Sequence, residues 1–141
     1  MNARARAPGK AEAMARAAHA THVEPLSGDP YVYHLERVAA LVESDDEKAT
    51  AWLHDIIEDT PTTAADLRAA GIAEAIITAV ELLTRTGSEP YAAYIGRIKA
   101  SGNALALAVK RADLKDHLRP KPVPLPDRML RKYEPALTEL S

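Results

Sequence analysis

Ala51-Trp52-Leu53-His54-Asp55-Ile56-Ile57-Glu58-Asp59-Thr60 is the stretch on which the reading of the fold turns. At about 100° per residue on a helix, Ala49, Trp52, Leu53, Ile56 and Ile57 fall on one arc and His54, Asp55, Glu58 and Asp59 on the other. The apolar arc needs a partner surface, and its period is that of a helix rather than a strand. His54 with Glu58 and Asp55 with Asp59 are i,i+4 pairs. Two side chains from one turn can therefore reach a metal while two from the next reach whatever is bound to it. The plainer alternative is a solvated polar face, which any amphipathic helix shows.

Outward from this stretch the same periodicity continues. Alanine and leucine dominate, phenylalanine is absent, and Val, Ile and Thr never alternate with polar residues over a strand length. The expected fold is all-α: a single compact bundle of six to eight helices over residues 1–141, with no sheet. A first helix is expected near residues 9–21, a turn-rich loop over 24–30, a second helix from Tyr31 to Glu43 and a third from about Asp46 to Asp59. Thr63-x-x-Asp66 has the form of a capping box opening a short fourth helix that Gly71 ends. Ile72, Ile76, Ala79, Val80 and Leu83 stripe a fifth. Ser88 and Pro90 precede a sixth, with Tyr91, Tyr94, Ile95 and Ile98 on one face. The seventh is apolar all round from Ala104 to Val109, the mark of a central helix. Prolines at 120, 122, 124 and 126 forbid helix and make residues 119–126 an extended connector. Asp127 to Leu140 returns to helix, with Pro135 expected to kink or restart it.

Composition narrows the function classes. A length of 141 residues suits one domain with its own core. Without cysteine there is no disulfide, iron–sulfur or thiolate chemistry, so any metal is held by nitrogen and oxygen. Eighteen Lys plus Arg against twenty Asp plus Glu give a formal net charge of -2, which argues against nucleic acid as a partner. No apolar run reaches the roughly 18 residues of a membrane span, and residues 1–16 lack the apolar core of a secretory signal. A cytoplasmic protein without a membrane partner is expected. Arg4, Arg6, Lys10 and Arg16 against Glu12 alone would also suit an organellar transit sequence, but Ala-rich composition recurs throughout. Residues 1–8 are read as a frayed leader.

Two residues outside the opening stretch matter most. His34 lies on an apolar arc with Tyr31, Val38, Leu41 and Val42, so it points inward. A core histidine satisfied by its neighbours is the ordinary reading. Asp113 continues the line of Ala106 and Val109, while Lys110, Arg111 and Lys115 are expected to point elsewhere. A buried carboxylate needs a partner. One divalent cation bound by His34, His54, Asp55 and Asp113 would account for the inward His, the inward Asp and the acidic helix face together.

The opening stretch resembles the His-Asp…Glu-Asp segment of HD-domain proteins, in particular the (p)ppGpp hydrolase domain of the RelA/SpoT family and its small stand-alone relatives. Gly28-Asp-Pro30-Tyr31-Val-Tyr-His34 is similar to that family's Gly-x-Pro-Tyr-x-x-His segment, and Val109-Lys110-Arg-Ala112-Asp113-Leu114 to its Val-Lys-x-Ala-Asp segment. Leu83-Thr84-Arg85, Tyr91-x-x-Tyr94-Ile95 and Lys132-Tyr133 follow in family order. The resemblance implies an HD-domain bundle and a metal-dependent phosphohydrolase, with His34, His54, Asp55 and Asp113 holding a divalent cation, usually manganese. It further implies that Glu58 and Asp59 orient or deprotonate the attacking water and assist the leaving oxygen. The implied reaction is release of pyrophosphate from the 3′ position of a guanosine polyphosphate.

The sequence departs from the pattern at two points. The family carries a basic stretch before Gly-x-Pro-Tyr, whereas here no Lys or Arg lies between Arg16 and Arg37. A multiply phosphorylated substrate would be expected to use such cations, so another phosphorylated nucleotide or metabolite is the alternative substrate. His117 stands where the family commonly has Asn. Lys110, His117 and Tyr133 are candidate substrate contacts, with Arg85, Arg131 and Lys132 as further phosphate contacts. A non-catalytic nucleotide-binding module is the alternative of another class, and Glu58 and Asp59 speak against it. No role falls to His19 or His22. Tyr and Leu side chains along the last helix leave room for a homodimer.

Overall fold

The computed structural model describes residues 7–141; the leader expected over residues 1–8 falls mainly outside them. Nine helical segments run in order among the described residues: α1 (Ala7–Ala18), α2 (Val32–Ala40), α3 (Asp45–Leu53), α4 (Ile56–Asp59), α5 (Ala64–Ala69), α6 (Glu74–Leu83), α7 (Tyr91–Ser101), α8 (Ala104–Leu118) and α9 (Asp127–Leu140). Because α3 and α4 are halves of one interrupted helix, the expected all-α architecture stands. Among the described residues extended pairing is limited to an isolated antiparallel bridge between Val23 and Pro30.

Local chemistry explains the boundaries. Ser44 opens α3 with a capping box closed by Glu47, and Thr63 opens α5 with one closed by Asp66, each satisfying amides the helix leaves free. Gly71 ends the α5 turn at φ +89, a conformation that disfavours any side chain. Pro90 is the N-cap of α7, within the stretch expected to open that helix, and no side chain caps it. Residues 119–126 contain no helix. Pro135 neither ends nor restarts α9, since it sits on the exposed face where the freed carbonyl one turn back can meet water.

α8 is the central helix. It packs against α2, α3, α6, α7 and α9, while α1 lies along α3 through the fully buried Ala11 and Ala15. The core is aliphatic, with Leu35, Leu53, Ile56, Ile76, Ile95 and Leu114 nearly sealed from solvent. Leu41, expected inward with His34, is 52% exposed at the end of α2, and Leu35 takes the inward position instead. This packing gathers His34 from α2, His54 from the end of α3 and Asp113 from α8 in the interior.

Candidate active site

His54 and Asp55 occupy the break between α3 and α4, where one continuous helix was expected. The backbone departs from helical angles at Asp55, with φ -105 and ψ 0, a sparsely populated region where functional residues often sit. The Ala51 carbonyl, which a continuous helix would give to the amide of residue 55, accepts instead from the His54 amide at 3.4 Å and from the His54 ring Nδ1 at 2.6 Å. A carbonyl only accepts, so Nδ1 carries the proton and Nε2 is turned inward. Helix resumes at once, with the Asp59 amide donating to the Asp55 carbonyl at 2.9 Å.

His34 reaches the same centre by another route. Its Nδ1 lies 2.7 Å from Asp116 Oδ2, and its Nε2 lies 2.9 Å from Asp113 Oδ1. Asp116 is itself held by Arg37, at 2.7 and 3.1 Å, and Arg37 continues to Glu24 at 2.6 Å. Asp116 was not singled out from the sequence. The available signal was its place three residues beyond Asp113, on the buried side of a helix.

Asp113 is the meeting point. Its Oδ1 lies 2.9 Å from His34 Nε2, 3.2 Å from His54 Nε2 and 3.3 Å from His117 Nε2; its Oδ2 accepts from Lys110 Nζ at 2.9 Å. The expectation that Lys110 points elsewhere is corrected: the i,i+3 spacing puts it one turn back on the same face, and its long stem delivers the ammonium to the carboxylate. Lys110 is 8% exposed, over the rings of Tyr91 and Tyr94. His34, His54 and Asp113 are 2%, 2% and 3% exposed, and one donor atom from each lies within 4.8 Å of the others. Two imidazoles and a carboxylate brought together in this way can hold a divalent cation. Outer partners on both rings, Asp116 and the Ala51 carbonyl, fix the orientation such a site requires. Asp55 stands at the edge, with Oδ2 3.2 Å from His54 Nε2 and accepting a hydrogen bond from the Tyr31 hydroxyl.

Electrostatics follow from this crowding. Burial lowers the pKa of His34, but hydrogen bonds to Asp113 and Asp116 outweigh it and raise it to about 9. His54 is likewise raised despite burial, by Asp55 and Asp113. Burial works against ionised Asp113, yet Lys110 and the surrounding imidazoles hold its pKa well below the carboxylate range. Asp59 moves the other way, up to about 6, because its carboxyl is partly desolvated and faces the charges of Asp55 and Glu58. Glu58 accepts the backbone N–H of Arg85 at 2.8 Å.

The remaining candidates divide. Glu58, Asp59, Arg85, Lys110, His117, Lys132 and Tyr133 all line a small pocket of about 180 Å³ that includes Asp55 and Asp113. Arg131 does not; it lines an outer groove between α7 and α9 with Arg128 and Pro135. Tyr133 is buried and stacks on His117, ring centroids 4.6 Å apart, so that face is covered. His117 in turn stacks on His34 at 4.9 Å. His19 is buried against Tyr31, with Nδ1 2.9 Å from His22 Nδ1.

The all-α fold has a counterpart among solved structures. A solved structure described as a metazoan ortholog of SpoT that hydrolyses ppGpp superimposes with a TM-score of 0.73 at 19% sequence identity, covering 99% of this chain and 94% of that one. No protein-family model matches the sequence, and no curated protein matches it. Among the described residues no helix is long and apolar enough to cross a membrane.

Proposed function

We propose that the chain is a metal-dependent phosphohydrolase that acts on a phosphorylated nucleotide. The observation that carries this reading is the buried group of His34, His54 and Asp113, of which Asp113 lines a pocket together with Asp55, Glu58 and Asp59. In this reading His34, His54, Asp55 and Asp113 hold one divalent cation, taken to be Mn2+. Such a cation supplies Lewis acidity, polarising a phosphoryl oxygen and acidifying water. Glu58, anchored through one oxygen to the Arg85 amide, offers the other to orient water. Asp59, with a pKa near 6, can take up or give a proton close to neutrality. Arg85, Lys110 and Lys132 face the carboxylates across the small pocket and would steady the transferred group, with His117 and Tyr133 closing its side.

The fold shared with a ppGpp-hydrolysing protein supports a guanosine polyphosphate, losing pyrophosphate, as the first substrate to test. One observation favours another phosphorylated compound: the loop 22–29 beside the site presents no Lys or Arg. The test is purification without chelator, elemental analysis, then incubation with Mn2+ and ppGpp, pppGpp, NADPH and simple nucleotides while following phosphate and pyrophosphate. Metal-dependent release that disappears in Glu58→Gln, with metal still bound, is expected. Failure to bind metal even after manganese loading would end this reading.

A further inference from the structure

Two spaces of different character open from one wall. Tyr31, Asp59, His117 and Tyr133 line both the small pocket and a larger cleft of about 620 Å³, a volume within the roughly 300–1,000 Å³ of small-molecule sites. In the small pocket Asp55, Glu58, Asp59 and Asp113 face Arg85, Lys110 and Lys132. Four carboxylates against three cations become net positive once a divalent cation joins them. Burial and the nearby charges of Arg85 and Lys110 lower the pKa of Lys132, as expected of cations gathered to receive an anion.

The cleft is more apolar. Its carboxylates are Glu24, Asp29, Asp59 and Asp116, of which Glu24 and Asp116 are paired with Arg37, and its Lys and Arg residues are Arg119 and Lys121. Both cations are already engaged. The Lys121 ammonium donates to the carbonyls of His117 and Arg119, and Arg119 Nη1 donates to the Asp116 carbonyl at 3.1 Å. Leu26, Val123, Leu125 and Met129 add apolar wall, with Val123 49% exposed. A second anionic group placed here would lose water against an apolar wall and meet only cations that already have partners.

We propose that the substrate is phosphorylated at one end only: a nucleoside mono- or diphosphate whose phosphate enters the small pocket while its uncharged nucleoside occupies the cleft. This rests on the phosphohydrolase reading of the site, and it disfavours guanosine nucleotides phosphorylated at both the 3′ and 5′ positions.

The test uses the full-length, manganese-loaded chain with guanosine 3′-monophosphate, guanosine 5′-monophosphate and GDP against ppGpp. Wild-type kcat/KM is measured alongside calorimetric Kd for Glu58→Gln, which removes the group assigned to water. At least one singly substituted nucleotide is expected to exceed ppGpp by roughly tenfold or more in both readouts, within the cost of desolvating a charged group that gains no new partner. Placing cations on the cleft wall with Leu26→Arg and Val123→Lys together should narrow that ratio. Equal or better binding and turnover of ppGpp by the native chain would overturn the proposal and leave the phosphohydrolase standing. The expected order of binding without turnover of any nucleotide would instead sink the phosphohydrolase and keep the ligand class. Absence of binding by all four would overturn the proposal.

Discussion

The two histidines of the site are aimed at the same Asp113 oxygen by different means. His34 belongs to an uninterrupted helix, and its ring is set by Asp116, a side chain 82 positions away in sequence. His54 sits at a helix break, and its ring is set by a carbonyl three residues back. One half of the site depends on tertiary packing of α2 against α8, the other on a local backbone irregularity. The first kind of support can be removed by a point substitution. The second can be altered only by changing the course of the chain.

The largest effect should come where the halves meet. Asp113→Ala removes the acceptor for His34, His54 and Lys110 together and leaves a nearly buried ammonium without its counter-ion. Breaking a buried pair from one side typically costs about 3–5 kcal/mol. Denaturant unfolding of the chelated protein should show a loss of that order, and manganese binding should vanish. Manganese affinity as in the native chain would exclude Asp113 from the ligand set and separate the halves.

Next comes pH. In the metal-free chain the His34 pKa is raised to about 9 from an ordinary value of 6.5, so its contribution to stability is fully present below about pH 6.5 and is lost as pH rises through about 9. The size is on the order of 3 kcal/mol for a shift of this extent. His54 shifts in the same direction. A cation must expel these protons, so manganese affinity should rise through the same window by up to about tenfold per pH unit for each proton released. Unfolding and manganese titrations at pH 6, 7, 8 and 9 would show both trends. A flat affinity would mean that the imidazoles are already neutral in the metal-free protein.

Asp116→Asn probes the His34 half alone. Loss of the carboxylate that fixes a metal-binding ring typically lowers metal affinity about 10–100-fold, and manganese titration should find a fall in that range. Nitrogen-correlated NMR of the imidazoles in the metal-free protein should show the raised pKa of His34 falling, because the Asp116 hydrogen bond that helps to raise it is weakened, while His54 stays raised by Asp55 and Asp113. Equal disturbance of both rings would mean that the two supports are coupled, contrary to their separate partners.

What was readable in the sequence follows the same division. Local chemistry gave itself away: Thr63 with Asp66 as a capping box, Gly71 as a stop, the apolar girth of α8, and His34 among apolar neighbours. The break at Asp55 was hidden because a residue near φ -105 and ψ 0 hardly disturbs the direction of a helix, so the apolar arc from Ala49 to Ile57 keeps its period across it. Asp116 was hidden for the opposite reason: its partners His34 and Arg37 lie some eighty residues away, and beside Lys115 and Arg119 it reads as one more surface charge. Lys110 misled because periodicity places a Cβ, whereas four methylenes decide where the ammonium goes.

The smallest expected effect asks to which half Asp55 belongs. Tyr31 ends the loop that leads into α2, yet its hydroxyl donates to Asp55 at the α3–α4 break, so one phenol ties the His34 side to the His54 side. Tyr31→Phe keeps the ring that packs on His19 and His34 and removes only this donor. If Asp55 is a ligand, losing the bond that orients it should weaken manganese binding about fivefold, near 1 kcal/mol, the scale of one hydrogen bond. The metal-free protein should then change little in stability, because Asp55 keeps His54 as a partner. An unchanged manganese affinity together with a clear loss of stability would place Asp55 in the framework of the break and leave His34, His54 and Asp113 as the whole protein contribution to the cation.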